Sequence, residues 1–457
     1  MILEKFENIV EPTIEIWKKV GYKNIEAKNK LNLITNNKKL IHNFDDDIDT
    51  FVLNAINYYD NLNLFIVFGK NKNEAYKYFI EHFSNNYTLY GIKFIKIKQI
   101  LITKIMYQLL FSRMIIKNKN ELFKYLEEEY TYLHQYNKEY IDITILFVCK
   151  KDLNEKYPIN DIISSNFCVY IPNTKETIWN AASIFFCEKS LDFIEKQNFD
   201  YFLTKDMEKS KKMFLKYRKW LNTNIDYKDQ SSFMLFSSIV LYLLGHRSMN
   251  DVDLYIHNIS DQLIEKTEQL KNNVDYNFVE YNIKNTEKWP LYWDIWLDEW
   301  AIKCGAKYFE DILCNQKYHF YFLGVKIISL ECDIIRRIER NRPRAVADLI
   351  ALRKRYHFKI NIPPIPKKTK KYISITDKSP VEIKTLIDSG GILNEKNKEI
   401  LVENDSDIDK FIGTIIYALQ TRYKMIFTTE EIKKELNMGT IDQSFSKRIK
   451  IIIKKKE

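Results

Sequence analysis

Glycine and proline are scarce, with only 10 and 9 in 457 residues, which excludes collagen-like and Pro/Gly-rich disordered chains. The six cysteines, Cys149, Cys168, Cys187, Cys304, Cys314 and Cys332, include no Cys-x-x-Cys pair, and the seven histidines are scattered. Neither a disulfide scaffold nor a structural zinc site is expected, and reduced, mostly buried thiols fit a cytoplasmic chain. Long apolar runs are also missing. The longest, Phe233 to Leu244, carries two serines and is too short to span a bilayer. The opening Met1-Ile-Leu-Glu-Lys-Phe-Glu has charges where a secretory signal has its apolar region. The expectation is a soluble chain with no membrane partner.

Hydrophobic residues make up 46% and charged residues 29%, the balance of a chain that can bury a core. Its length implies two or three domains. Asn, Ile, Lys and Tyr are abundant, a skew that resembles proteins of AT-rich genomes, giant DNA viruses among them; host cytoplasm or virion would then be the location. The net charge of +10, from 71 Lys+Arg against 61 Asp+Glu, permits phosphate-bearing partners such as RNA without requiring them.

The patterning predicts an α/β (α+β) chain. Residues 1–60 read as helical and polar. Residues 1–150 read as a small α/β domain, with strands at Leu62–Phe68, Tyr90–Ile97 and Ile141–Val148 and helical spacing at 71–83 and 99–138. Residues 151–228 read as a mostly helical connection after a strand at Phe167–Ile171, with a helix start at Pro172-Asn173-Thr174. The lysine-rich run Lys205–Lys219 reads as a solvated helix face. Residues 229–358 carry the informative motifs. Residues 359–380, with Pro363-Pro364-Ile365-Pro366 ahead of Lys367–Lys371, read as a linker. Residues 381–457 read as a helical unit, with helices at 408–423, 429–436 and 442–452 and a basic tail.

The chemistry is concentrated in Ser231–Asn258. Apolar residues lead to Leu243-Leu244-Gly245, a polar segment His246-Arg247-Ser248-Met249-Asn250 follows, and then comes Asp251-Val252-Asp253-Leu254-Tyr255-Ile256. Strand alternation puts both aspartates on one face, with Cα atoms about 6–7 Å apart. Two carboxylates so placed can share divalent metal, as two-metal nucleotidyl transfer requires. Gly245 would let backbone approach a phosphate, and Ser248 would donate to it. Asp47-Ile48-Asp49 and Asp407-Ile408-Asp409 match the same spacing but lie in polar surroundings; they read as surface acids or helix starts.

Gly245, Ser248, Asp251 and Asp253 resemble the signature of the polymerase-beta-like nucleotidyltransferase superfamily, in which a Gly/Ser turn precedes two metal-binding acids. A second block is similar to the tail of bacterial members: Phe322 to Glu331 around Gly324, then Ile335-Arg336-Arg337, then Arg342-Pro343-Arg344 ahead of Asp348-Leu349. The two blocks cover about a quarter of the chain. Family members usually carry Gly-Ser or Gly-Gly and a longer segment before the first acid, whereas Gly245 precedes Asp251 by only six positions. The resemblance implies a mixed sheet flanked by helices, Mg²⁺ or Mn²⁺ as cofactor and an NTP as substrate. It implies Asp251 and Asp253 as metal ligands, with Gly245, Arg247, Ser248 and Arg336 near the nucleotide. A third acid is sought between the blocks: Asp294 fits best, Asp298 is its rival, and a tryptophan-rich core with outward acids stands beside both. Arg337 and Arg340 read as structural. The expected activity is metal-dependent nucleotidyl transfer to an unspecified acceptor; the rivals are a silent member of the fold and a basic nucleic-acid-binding protein.

Overall fold

The structure is a computed structural model. It describes residues 60–111, 139–150, 163–164, 167–230, 232–249, 251–256, 279–283, 299–355, 357–364, 368–374, 392–394, 399–405 and 407–437, with a few helical residues between 49 and 56 and between 382 and 385. The chain is a mixed α/β protein that divides into two units, Met1–Asp333 and Ile334–Glu457.

The first unit holds two five-stranded sheets. One is wholly antiparallel, with strands β1 (Leu62–Phe68), β2 (Tyr87–Lys98), β3 (Tyr140–Lys150), β4 (Ile163–Ser164) and β5 (Phe167–Tyr170) in the order β2-β3-β1-β5-β4. Every residue of central β1 is buried, which explains its unbroken apolar sequence. Helix α1 (Lys72–His82) begins at a capping box in which Asn71 accepts from the backbone of Glu74 and Glu74 reaches back. Its buried face packs Phe79 beside Phe65 and Phe83. Asp49, expected as a surface acid or a helix start, is helical and buried, paired with Lys93 of β2.

The second sheet is mixed. Strands β6 (Phe233–Phe236), β7 (Val252–Ile256), β8 (Val279–Ile283), β9 (His319–Phe322) and β10 (Val325–Ile328) run in the order β8-β7-β6-β10-β9. The β7–β8 and β6–β10 pairs are parallel; β6–β7 and β9–β10 are antiparallel. Helices α2 (Ile102–Leu110), α3 (Lys175–Phe185), α4 (Glu188–Lys196), α5 (Phe199–Phe202), α6 (Glu208–Asn224), α7 (Tyr227–Gln230), α8 (Ser238–Leu243) and α9 (Phe309–Cys314) complete the described elements of the unit, with α10 (Leu330–Arg340) running across its boundary. Thr174 and Thr177 form a capping box at the start of α3, where the sequence puts a helix start.

The β9–β10 hairpin turns on Leu323 and Gly324, with φ of 50° and 76°, the pair of positive angles a tight hairpin turn requires. This turn is buried and held by three side chains. Gln108 of α2 accepts from Leu323 N–H (3.1 Å), Arg218 of α6 donates through Nε to Leu323 O (2.8 Å), and Trp179 of α3 donates to Gly324 O (2.8 Å). A Cβ at Gly324 would meet Asn180 Oδ1 at 2.5 Å, so only glycine fits.

In the second unit, helix α11 (Pro343–Arg355) packs on α12 (Ile408–Tyr423), and α13 (Thr429–Asn437) follows. Asp348, 1% exposed, accepts from Tyr423 Oη at 2.7 Å and pairs with Arg337. Burial costs a lone carboxylate several kcal/mol, and these partners offset that cost. Asp407 caps α12, and Thr428 with Glu431 caps α13. The stretch read as a linker contains strand β11 (Lys368–Ser374), which pairs with β13 (Glu399–Asp405), itself paired with β12 (Ile392–Asn394). That unit is therefore not wholly helical; the lysines of β11 hide its alternation. The helix expected at 442–452 lies outside the described residues.

Candidate functional site

The site starts where β6 ends. Phe233–Phe236 is a fully buried strand, its register with β7 sets Phe236 opposite Asp253, and Phe236 stacks on Tyr255 at 3.8 Å between ring centroids. The chain then bends at Ser237, with φ 71° and ψ −124°, and enters helix α8 at Ser238. A positive φ at a residue with a Cβ is strained and is ordinarily given to glycine.

Asp251 stands at the bend before β7 and Asp253 within the strand, both half-exposed, while Val252 and Leu254 are buried. Asp251 precedes the strand, and Tyr255, two residues after Asp253, is buried against Phe236. Ser238 bridges the two segments: its Oγ is 3.3 Å from Asp251 Oδ1 and 3.4 Å from Asp251 O. A strained serine turn and Asp251 therefore meet at one end of the β6–β7 ladder. Across the parallel β7–β8 pairing, Glu280 is the register partner of Asp253.

Gly245 has a different duty from the one its spacing suggests. It ends α8 with φ 76°, its N–H bonding to Tyr242 O and that of His246 to Leu241 O at 2.8 Å each, the paired bonds of a glycine-terminated helix. Its missing side chain makes room for Asn198: an added Cβ would lie 2.3 Å from Asn198 O. Asn198 N–H in turn donates to Leu244 O, and Gln197 Nε2 to Leu243 O. The close approach that Gly245 permits in this structure is to its own chain, at Asn198.

Arg247 is buried, its guanidinium donating to Ser248 O at 2.8 Å, and Ser248 is exposed. His246 is buried as well. Between them and the acids, Met249 is clamped by Ser210 of α6, whose Oγ accepts from Met249 N–H at 2.9 Å and is 3.3 Å from Met249 O. Arg336 is buried on α10, in the second unit. Asp294 and Asp298 lie outside the described residues. Among the described residues no group of three or more His, Cys, Asp or Glu forms a metal site.

No family model, curated protein or solved structure matches this chain. The function must be argued from the site itself.

Sequence reasoning passed over Ser237 and Ser238 because they sit inside an apolar run that reads as one element. The visible trace in the sequence is that two adjacent serines interrupt that run.

Proposed function

We propose that the chain is a metal-dependent nucleotidyltransferase of the polymerase-beta-like kind, with Ser237-Ser238 rather than Gly245 as the turn that receives the triphosphate. The observation that carries this reading is the Ser238–Asp251 contact, which joins the serine turn to the acid pair. Two half-exposed carboxylates two residues apart in sequence are hard oxygen donors suited to Mg²⁺ or Mn²⁺. The bound cation would supply charge neutralisation for the triphosphate and acidify the attacking hydroxyl. Asp251 and Asp253 would hold it, with Asp294 or Asp298 as the third acid that the resemblance implies. The hydroxyl and backbone N–H of Ser238 would orient phosphate oxygens, and the buried helix α8 keeps that turn from moving.

One observation favours a catalytically silent version of the same fold. A serine at Ser237, where members of the superfamily usually carry glycine, puts a side chain beside the turn and narrows the approach of a phosphate.

The test is incubation of the full chain with each labelled NTP, Mg²⁺ or Mn²⁺ and candidate acceptors, beside an Asp251→Asn/Asp253→Asn variant. Label transfer that the double variant abolishes supports the enzyme. Metal-dependent NTP binding without transfer supports the silent version, and no binding of either metal or NTP defeats both.

A further inference from the structure

Helix α6 has a surface unlike any other described helix. After Glu208 no acidic residue occurs until Asp226, while Lys209, Lys211, Lys212, Lys216, Arg218 and Lys219 all fall in between. Met213, Phe214, Tyr217, Arg218, Trp220 and Leu221 face the interior, and Lys209, Lys212, Lys216 and Lys219 are exposed. Their spacing of three, four and three residues lines the four ammonium groups along one side of the helix. Lys212 has Glu208 at 3.9 Å, whereas Lys216 and Lys219 have no acidic partner among the described residues.

We propose that this lysine face binds the phosphodiester backbone of a nucleic-acid strand. Ten residues of helix span about 15 Å, a length over which a nucleic-acid strand presents several phosphates. A membrane surface is the poorer match, because such helices also offer an apolar face to lipid, and that of α6 is buried in the protein. The same helix reaches the candidate site. Ser210, on the buried face of the helix next to Lys209 in sequence, bonds the backbone of Met249 two residues before Asp251. As an acceptor surface this face rests on the nucleotidyl-transfer reading; as a binding surface it is tested separately.

The experiment is fluorescence anisotropy of the full chain with a labelled single-stranded RNA of about twenty nucleotides, over about 50–200 mM salt. The test variant carries Lys209→Gln, Lys212→Gln, Lys216→Gln and Lys219→Gln. The control carries the same loss of charge at exposed Lys77, Lys303, Lys307 and Lys317. Circular dichroism confirms that each is folded. The test variant should bind at least about tenfold more weakly at the lowest salt. Its log–log salt slope should be shallower by about three, because each phosphate left without its lysine removes about 0.7 from the slope. The control should keep the parental affinity to within about twofold at that salt. Equal losses in both variants, no loss in the first, or no binding by the parent overturns the proposal. An Asp251→Asn/Asp253→Asn chain that binds the RNA yet transfers nothing from any NTP, with a parent equally inactive, leaves the interface standing and removes the transferase reading.

Discussion

Ser238 Oγ lies 3.3 Å from Asp251 Oδ1 across thirteen residues of chain, tying the residue that opens α8 to the first of the strand acids. A hydrogen bond to a charged group contributes about 1.5–3 kcal/mol when buried, and less in a half-exposed setting. Ser238→Ala should therefore cost about 1 kcal/mol by urea denaturation. It should weaken Mn²⁺ binding by titration calorimetry by more than that stability loss implies, because Asp251 loses its orientation. Unchanged Mn²⁺ affinity would mean that Ser238 serves packing alone.

Ser237 holds a backbone conformation that costs a side-chain-bearing residue about 1–3 kcal/mol. Ser237→Gly removes that cost while adding backbone freedom to the unfolded chain, so the net gain should be about 1 kcal/mol. The urea midpoint should rise. A lower midpoint would mean that the serine hydroxyl stabilises the turn by more than the strain costs.

Two glycines should respond to alanine with opposite signs. Gly245 has positive φ and a backbone oxygen 2.3 Å from where a Cβ would stand, so Gly245→Ala should lose more than about 2 kcal/mol. Gly413 lies within α12 with nothing within 4 Å of its added Cβ, so Gly413→Ala should gain about 0.5–1 kcal/mol from helix propensity alone. Thermal denaturation of the two variants checks both.

His319 is buried in β9, with its Nδ1 3.0 Å from Ile312 O. Burial, reinforced by the nearby Lys326 charge and opposed by the Ile312 contact, holds its pKa well below the ordinary value. Below about pH 6.5 the unfolded chain takes up a proton that the folded one refuses, so stability falls with falling pH, by up to about 1.4 kcal/mol per unit. His319→Gln should flatten the pH dependence of the urea midpoint between about pH 6.5 and 5. Equal slopes in both chains would assign the acid sensitivity to other groups.

Much of the architecture was legible in the sequence. The apolar run Leu62–Phe68 and the alternation around Tyr90 and Ile141 gave three strands of the first sheet, and Thr174, Asp407 and Thr428 marked helix starts by their capping chemistry. Four features stayed hidden for physical reasons. A positive φ leaves no trace in composition when serine rather than glycine adopts it, so the Ser237 bend was invisible inside Phe233–Leu244. Gly245 invited a ligand-facing interpretation because the segment it touches, Asn198, is far away in sequence. Strand β11 was masked by Lys368, Lys370 and Lys371 around Thr369 and Tyr372, and the burial of Asp49 was hidden because its partner, Lys93, is on a distant strand.

The buried turn at Leu323-Gly324 has a bearing on how this protein can be dissected. Its carbonyls and amide are satisfied by Gln108, Trp179 and Arg218, residues contributed from before the second sheet begins. Cutting the chain near residue 150 or 228 would strip away one or all of these clamps and strand polar backbone in an apolar socket. Fragments that start at the second sheet should aggregate on expression. The turn should also refuse insertions that a solvent-facing hairpin would accept.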